Sequence, residues 1–125
     1  MDIDVSEFTP IQQRALLDLY VLALEADGQL PPASDPRLDS LYSAMGHHTE
    51  VERQREYEAS VARMKPVAHP VQRARDQLVI LAQAFTERSE HKKVYTAMQA
   101  IFAGDAHVSS VEHYLLSELR LRYRL

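Results

Sequence analysis

Apolar residues recur along this chain at helical spacing, in segments separated by short breaks that carry proline, glycine or a capping side chain. Between Thr9 and Ala26, the residues Leu16, Leu17, Leu19, Val21, Leu22, Ala23 and Leu24 cover most of a helix circumference, the pattern of a helix surrounded by others. Thr9-Pro10-Ile11-Gln12 predicts its start, with Thr9 as the cap, Pro10 at the first helical position and Gln12 three residues after the cap. Gly28 predicts its end. Arg14, Asp18 and Glu25 form a thin polar stripe down the same rod.

Pro31-Pro32-Ala33-Ser34-Asp35-Pro36 removes donors and restricts the residues before each proline, so it predicts a loop. Leu38, Leu41, Tyr42 and Met45 then predict a short amphipathic helix closed by Gly46. Thr49-Glu50-Val51-Glu52 is a capping box that opens a charged helix to about Met64, placed on the outside by its few apolar positions. After Pro66 and Pro70, Ala74, Leu78, Leu81, Ala82 and Phe85 mark a fourth helix. A fifth, expected to be capped by Ser89, is carried by Val94, Met98, Ile101 and Phe102. Ser109-Ser110-Val111-Glu112 is a further capping box, starting a last helix with Tyr114, Leu115, Leu119 and Tyr123 facing inward. No segment alternates with period two over a strand's length. The expected fold is an all-α, single-domain bundle of five to seven helices spanning 1–125, with the first helix at its centre.

Composition narrows the chemistry. At 125 residues, 46% hydrophobic and 26% charged, the chain is sized for one core and too apolar for a disordered tail. With 14 basic against 18 acidic side chains and no dense block of either sign, phosphate-driven binding to nucleic acid is not expected. No cysteine is present, which removes disulfides, thiolate nucleophiles and cysteine-held metals. The stretch Ala15 to Ala26 is broken by Asp18 and Glu25 and is too short to span a bilayer. An acidic start, Met1-Asp2-Ile3-Asp4, does not resemble a secretory or mitochondrial leader, and the expected location is cytoplasmic. No Gly-x-Ser-x-Gly elbow, phosphate loop or nucleophile–base set occurs, so an enzyme is not expected. The six histidines, including His47-His48, His107 and His113, form no His-x-x-x-His or His-Glu-x-x-His arrangement.

One internal echo carries a functional expectation. Leu22 to Pro31 and Ile101 to Ser109 each bring an apolar helix to an Asp at its break, then an aliphatic residue three positions later and a further helix. This suggests a weak helix–acidic turn–helix duplication, with both turns at one end of the molecule. Ala26-Asp27-Gly28-Gln29-Leu30, together with Asp105-Ala106-His107-Val108-Ser109-Ser110-Val111-Glu112-His113-Tyr114-Leu115-Leu116, resembles the TerB-like domains associated with tellurite resistance. The resemblance spans roughly Pro10 to Leu121 and is specific at those two motifs. It implies a non-enzymatic, stress-response helical domain whose acidic turns come together, in a family where metal binding has been suspected. Asp27, Asp105 and Glu112 are the candidate ligands for a hard divalent cation, Ca²⁺ or Mg²⁺. The chain departs from the pattern at Ser34, where an acid is expected, and at Ala106, where glycine is usual. The same residues also have plain structural uses: Asp27-Gly28 as a turn, Asp105 bonding its own loop, and Glu112 completing the box with Ser109.

The alternative reading is a metal-free protein–protein interaction module. Arg53, Arg55, Glu56, Glu58 and Arg63 of the third helix could rim a partner site. Leu119 to Leu125, which alternates apolar and basic residues, is either a frayed helix end or a tail for an acidic partner or a homo-oligomer contact. The expected partners are other proteins.

Overall fold

The computed structural model describes residues 5, 7–103 and 109–125. These residues form six α-helices, α1 (Pro10–Asp27), α2 (Asp39–Ala44), α3 (Glu50–Met64), α4 (Val71–Ala82), α5 (Arg88–Ala103) and α6 (Ser110–Tyr123). Two 3-10 turns, Pro36–Leu38 and Lys65–Val67, precede α2 and follow α3, and no strand occurs among the described residues. The chain is an all-α bundle. No described helix is long and apolar enough to cross a membrane.

α1 is the central rod. The Thr9 hydroxyl accepts from the Gln12 amide at 3.2 Å while the Gln12 side chain accepts from the Thr9 amide at 3.0 Å, which satisfies two of the orphan donors at the helix start. At the other end Gly28 takes a left-handed φ of 77°, with Gly28 N–H donating to Glu25 O and Gln29 N–H to Leu24 O. That paired closure needs a residue free of a Cβ penalty, which is why the helix stops at this glycine. Every residue from Ala15 to Leu24 is buried, and α1 packs against each of the other five helices.

α3 uses the polar stripe of α1. Arg14 pairs with Glu56 at 3.2 Å, and Asp18 accepts from Ser60 Oγ at 2.6 Å and from two nitrogens of Arg63, at 2.8 and 3.2 Å. Asp18 is 5% exposed. The charged third helix therefore lies on the outside with one face, while Tyr57, Ser60 and Met64 close over the polar seam.

Helix directions follow from side-chain pairs. Gln12 bonds Ala84 O and Glu90 at the end of α4 and the start of α5, and the ring of Tyr20 stacks on Phe102 near the end of α5. So α5 runs with α1 and α4 runs against it. α6 runs with α4: Val71 and Ser110 line one cleft at their starts, Arg75 pairs with Glu118 midway, and the Tyr123 hydroxyl donates to Ala82 O at their ends.

Four expectations are corrected, the first being Tyr114, which faces solvent rather than the core. α5 starts at Arg88, so Ser89 lies inside its first turn. The capping acceptor is Glu90, whose Oε1 receives the amides of Thr86 and Glu87. These bonds, that to Glu87 foremost and then that from the Gln12 side chain, hold the Glu90 carboxyl below its ordinary range. α4 ends at Ala82, and Phe85 fills the core from beyond it, tilted against Phe8. The C-terminus of α6 is not frayed: Arg124 takes a left-handed φ of 56°, and Leu125 N–H donates to Arg120 O across a closed turn.

Candidate functional site

The parallel course of α1 and α5, with α6 opposed to both, brings three helix ends to one pole of the bundle: the end of α1 with Asp27, the end of α5, and the start of α6 with Glu112. Asp27 is half-buried beside Gly28. Asp105 lies outside the described residues, as do Ala106 and His107. Ser34 is exposed in the loop after α1. Among the described residues, no three His, Asp or Glu side chains converge in an arrangement that could hold a metal ion.

Glu112 is the unusual member of the set. It is 2% exposed, and its Oε1 accepts the Ser109 amide at 3.0 Å while Ser109 Oγ accepts the Glu112 amide. The capping box uses only that oxygen. Its second oxygen, Oε2, is buried with no hydrogen-bond partner among the described residues. A buried carboxylate oxygen is normally hydrogen-bonded or bound to a cation, because leaving it bare forfeits its hydration. Glu112 therefore has the oxygen donor chemistry that a hard cation requires, with one oxygen fixed in the cap and the other buried without a partner among the described residues.

The loop after α1 is tied to the same pole by a residue the sequence did not single out. Arg37 donates to both oxygens of Asp35, at 2.6 to 3.1 Å, and its Nη1 reaches Ile101 O in the last turn of α5 at 3.1 Å. Its guanidinium also lies over the Tyr20 ring, 5.7 Å from the centroid. The Arg37 hydrogen bonds hold the Asp35 carboxyl below its ordinary value, against the opposing effect of burial. A cation at the end of α5 satisfies carbonyls that the helix leaves unpaired. Asp-Pro-Arg at 35–37 is a local signal, but its target lies 64 residues away and could not be read from spacing.

The other candidates resolve into structural uses. Arg53 staples α3 to α2, bonding His47 O, Asp39 and Ser43 and covering the Tyr42 ring at 5.5 Å. Beside it a groove of about 740 Å³ runs between the proline-rich loop and α3, lined by Ser34, Asp39, Glu50, Val51, Arg55 and Glu58 among others. His91 contacts Phe85 O at 2.6 Å and stacks on the Tyr123 ring with centroids 4.0 Å apart, so it is a packing histidine. His47 lies 3.5 Å from Glu56. Compared with family models, curated proteins and solved structures, the chain matches none.

Proposed function

We propose that the chain is a non-enzymatic, TerB-like domain of the tellurite-resistance and stress-response kind, binding a divalent cation at the pole where Asp27, Asp105 and Glu112 belong. The observation that carries this reading is the buried Oε2 of Glu112 at the start of α6, which has no hydrogen-bond partner among the described residues. Helix directions support it, since Asp27 and Glu112 sit at the same end of the bundle. Ser34, standing where an acid is expected, leaves the site one ligand short, so the affinity is weak. The role of the chain's own residues is to present carboxylates of which one is already oriented by the Ser109 cap.

The test is a thermal melt with and without Ca²⁺ or Mg²⁺, on the natural chain and on Glu112→Gln and Asp105→Asn. At a free cation concentration about five times Kd, mass action adds about 1 kcal/mol of stability, a few degrees of melting temperature. That rise should vanish in both variants. A natural chain indifferent to every divalent ion ends the cation reading.

The second reading is a metal-free interaction module. It is favoured by the groove over α3, whose mixed Arg and Glu rim surrounds the exposed Val51, and by the apolar–basic surface of α6.

A further inference from the structure

α6 turns one stripe to solvent that the bundle does not need. Leu121 is 72% exposed and Tyr114, seven residues before it and on the same side, is 37% exposed. Two helical turns separate them, about 10 Å along the axis. Beside Tyr114 a cleft of about 310 Å³ opens between the starts of α4 and α6, with Val71 and Val111 on its walls. Arg120 and Arg122 project on either side of Leu121, and Arg124 follows in the closing turn.

The charge at the Leu121 end of this stripe is one-sided. Residues 120–124 contain three arginines and no acid, leaving eleven of the 14 basic side chains to face all 18 acids elsewhere. No Asp or Glu among the described residues pairs with these three arginines, and Arg120 bonds only the Leu125 oxygen, at 2.9 Å. Near Tyr114 two acids, Glu118 on the stripe itself and Asp76 on α4, share Arg75 at 3.4 and 3.6 Å. An acidic protein that gathers arginines without Asp or Glu partners among the described residues around an exposed leucine has built a local positive field with an apolar centre.

We infer that the Tyr114–Leu121 stripe of α6 docks an acidic amphipathic helix of a partner protein, its apolar residues at i and i+7 meeting Leu121 and the Tyr114 cleft and its flanking carboxylates meeting Arg120, Arg122 and Arg124. The inference deepens the interaction-module reading and is independent of the cation pole. An amphipathic helix presents apolar residues at the spacing that Tyr114 and Leu121 offer. Arginine pairs with carboxylates in a planar, two-bond geometry, and this fixes the partner's charge. The charge pairs set orientation and encounter rate, while the leucine and the cleft supply the buried contact.

Fluorescence anisotropy on the full chain tests this with two labelled helical peptides of about 18 residues. Both carry leucine at i and i+7; one is flanked by glutamates and the other by lysines. The glutamate peptide should bind, more weakly as salt rises, and at least about tenfold more tightly than the lysine peptide. Leu121→Ser and Arg122→Ala should each weaken it by about tenfold or more while leaving the melting temperature unchanged, since both side chains are exposed. Equal binding of the two peptides, no binding of either, or indifference to both substitutions overturns the inference. Adsorption to anionic vesicles through the same residues without peptide binding overturns it in favour of a lipid surface. A concentration-dependent dimer abolished by Leu121→Ser overturns it in favour of a second copy. A chain that ignores the acidic peptide yet still melts higher with divalent cation loses this inference alone.

Discussion

Replacing Asp18 with alanine removes the acceptor around which α1 and α3 are joined. Ser60 Oγ, on a residue with 0% exposure, loses its partner at 2.6 Å. A buried donor left unmade costs about 1 to 3 kcal/mol. Arg63 loses two charge-assisted bonds, each shorter than 3.3 Å, but its side chain is 37% exposed and can turn back to water. Its share therefore falls to the low end of the range of about 1.5 to 3 kcal/mol for bonds to a charged group. Alanine's better helix propensity returns a few tenths, roughly 0.5 kcal/mol. The net loss is about 3 kcal/mol, a large part of the roughly 5 to 15 kcal/mol that holds a domain together. Urea unfolding should show a midpoint lowered by about 1 to 2 M with the slope unchanged, and thermal melting a drop of roughly 10 °C. Ser60→Ala alone should cost about 1 kcal/mol, because Asp18 keeps Arg63. The double variant should cost less than the sum, because the orphaned hydroxyl is gone. A loss below about 1 kcal/mol for Asp18→Ala, or strict additivity in the cycle, would refute the claim that this seam holds α3 on α1.

Two further outcomes follow from single positions. Arg124 holds a left-handed φ of 56° that costs a Cβ-bearing residue about 1 kcal/mol, so Arg124→Gly should raise stability by roughly 0.5 to 1 kcal/mol in the same urea assay. Asp35, held below its ordinary 3.8 by the Arg37 hydrogen bonds, binds its proton more weakly folded than unfolded. Its contribution is therefore fully present above the unfolded value and is lost as pH falls through the lower folded one. An acid titration of stability should be shallower below about pH 4 in Asp35→Asn than in the natural chain.

What the sequence disclosed and what it withheld divide by distance along the chain. Thr9, Thr49 and Ser109 each cap through a partner three residues on, so α1, α3 and α6 begin where the local pattern places them. Gly28 and Gly46 close helices because both take a positive φ. The polar stripe of Arg14 and Asp18 was visible, but its partners on α3 lie more than 40 residues away and periodicity does not reach them. Ser89 misled because a serine before a helix is a good cap. Here Glu90 reaches back to two amides, and the helix starts at Arg88, two residues before the start that a Ser89 cap would give. The same limit applies to the candidate site. Glu112 was legible as half of a capping box, but its idle oxygen depends on burial by other helices and leaves no trace in spacing. Asp27 was legible as a turn residue, and only helix direction puts it at the same pole as Glu112. The exposed Leu121 was legible as one member of an alternating run, but not as the centre of an arginine cluster without Asp or Glu partners among the described residues.

The Gln12 side chain accepts from Thr9 through its oxygen and donates from its nitrogen to Ala84 O at 3.1 Å and to Glu90 Oε2 at 3.0 Å. Glu90 in turn receives the amides that open α5. The first turn of the central helix, the last turn after α4 and the first turn of α5 thus share one amide group. Ordinarily each helix terminus breathes on its own, exchanging its amide protons faster than the middle of the rod. At this pole the three termini are one hydrogen-bonded knot, and their amides should open to solvent as a single unit. The opposite pole, where Asp27 and Glu112 sit, has Arg37 as its corresponding clasp.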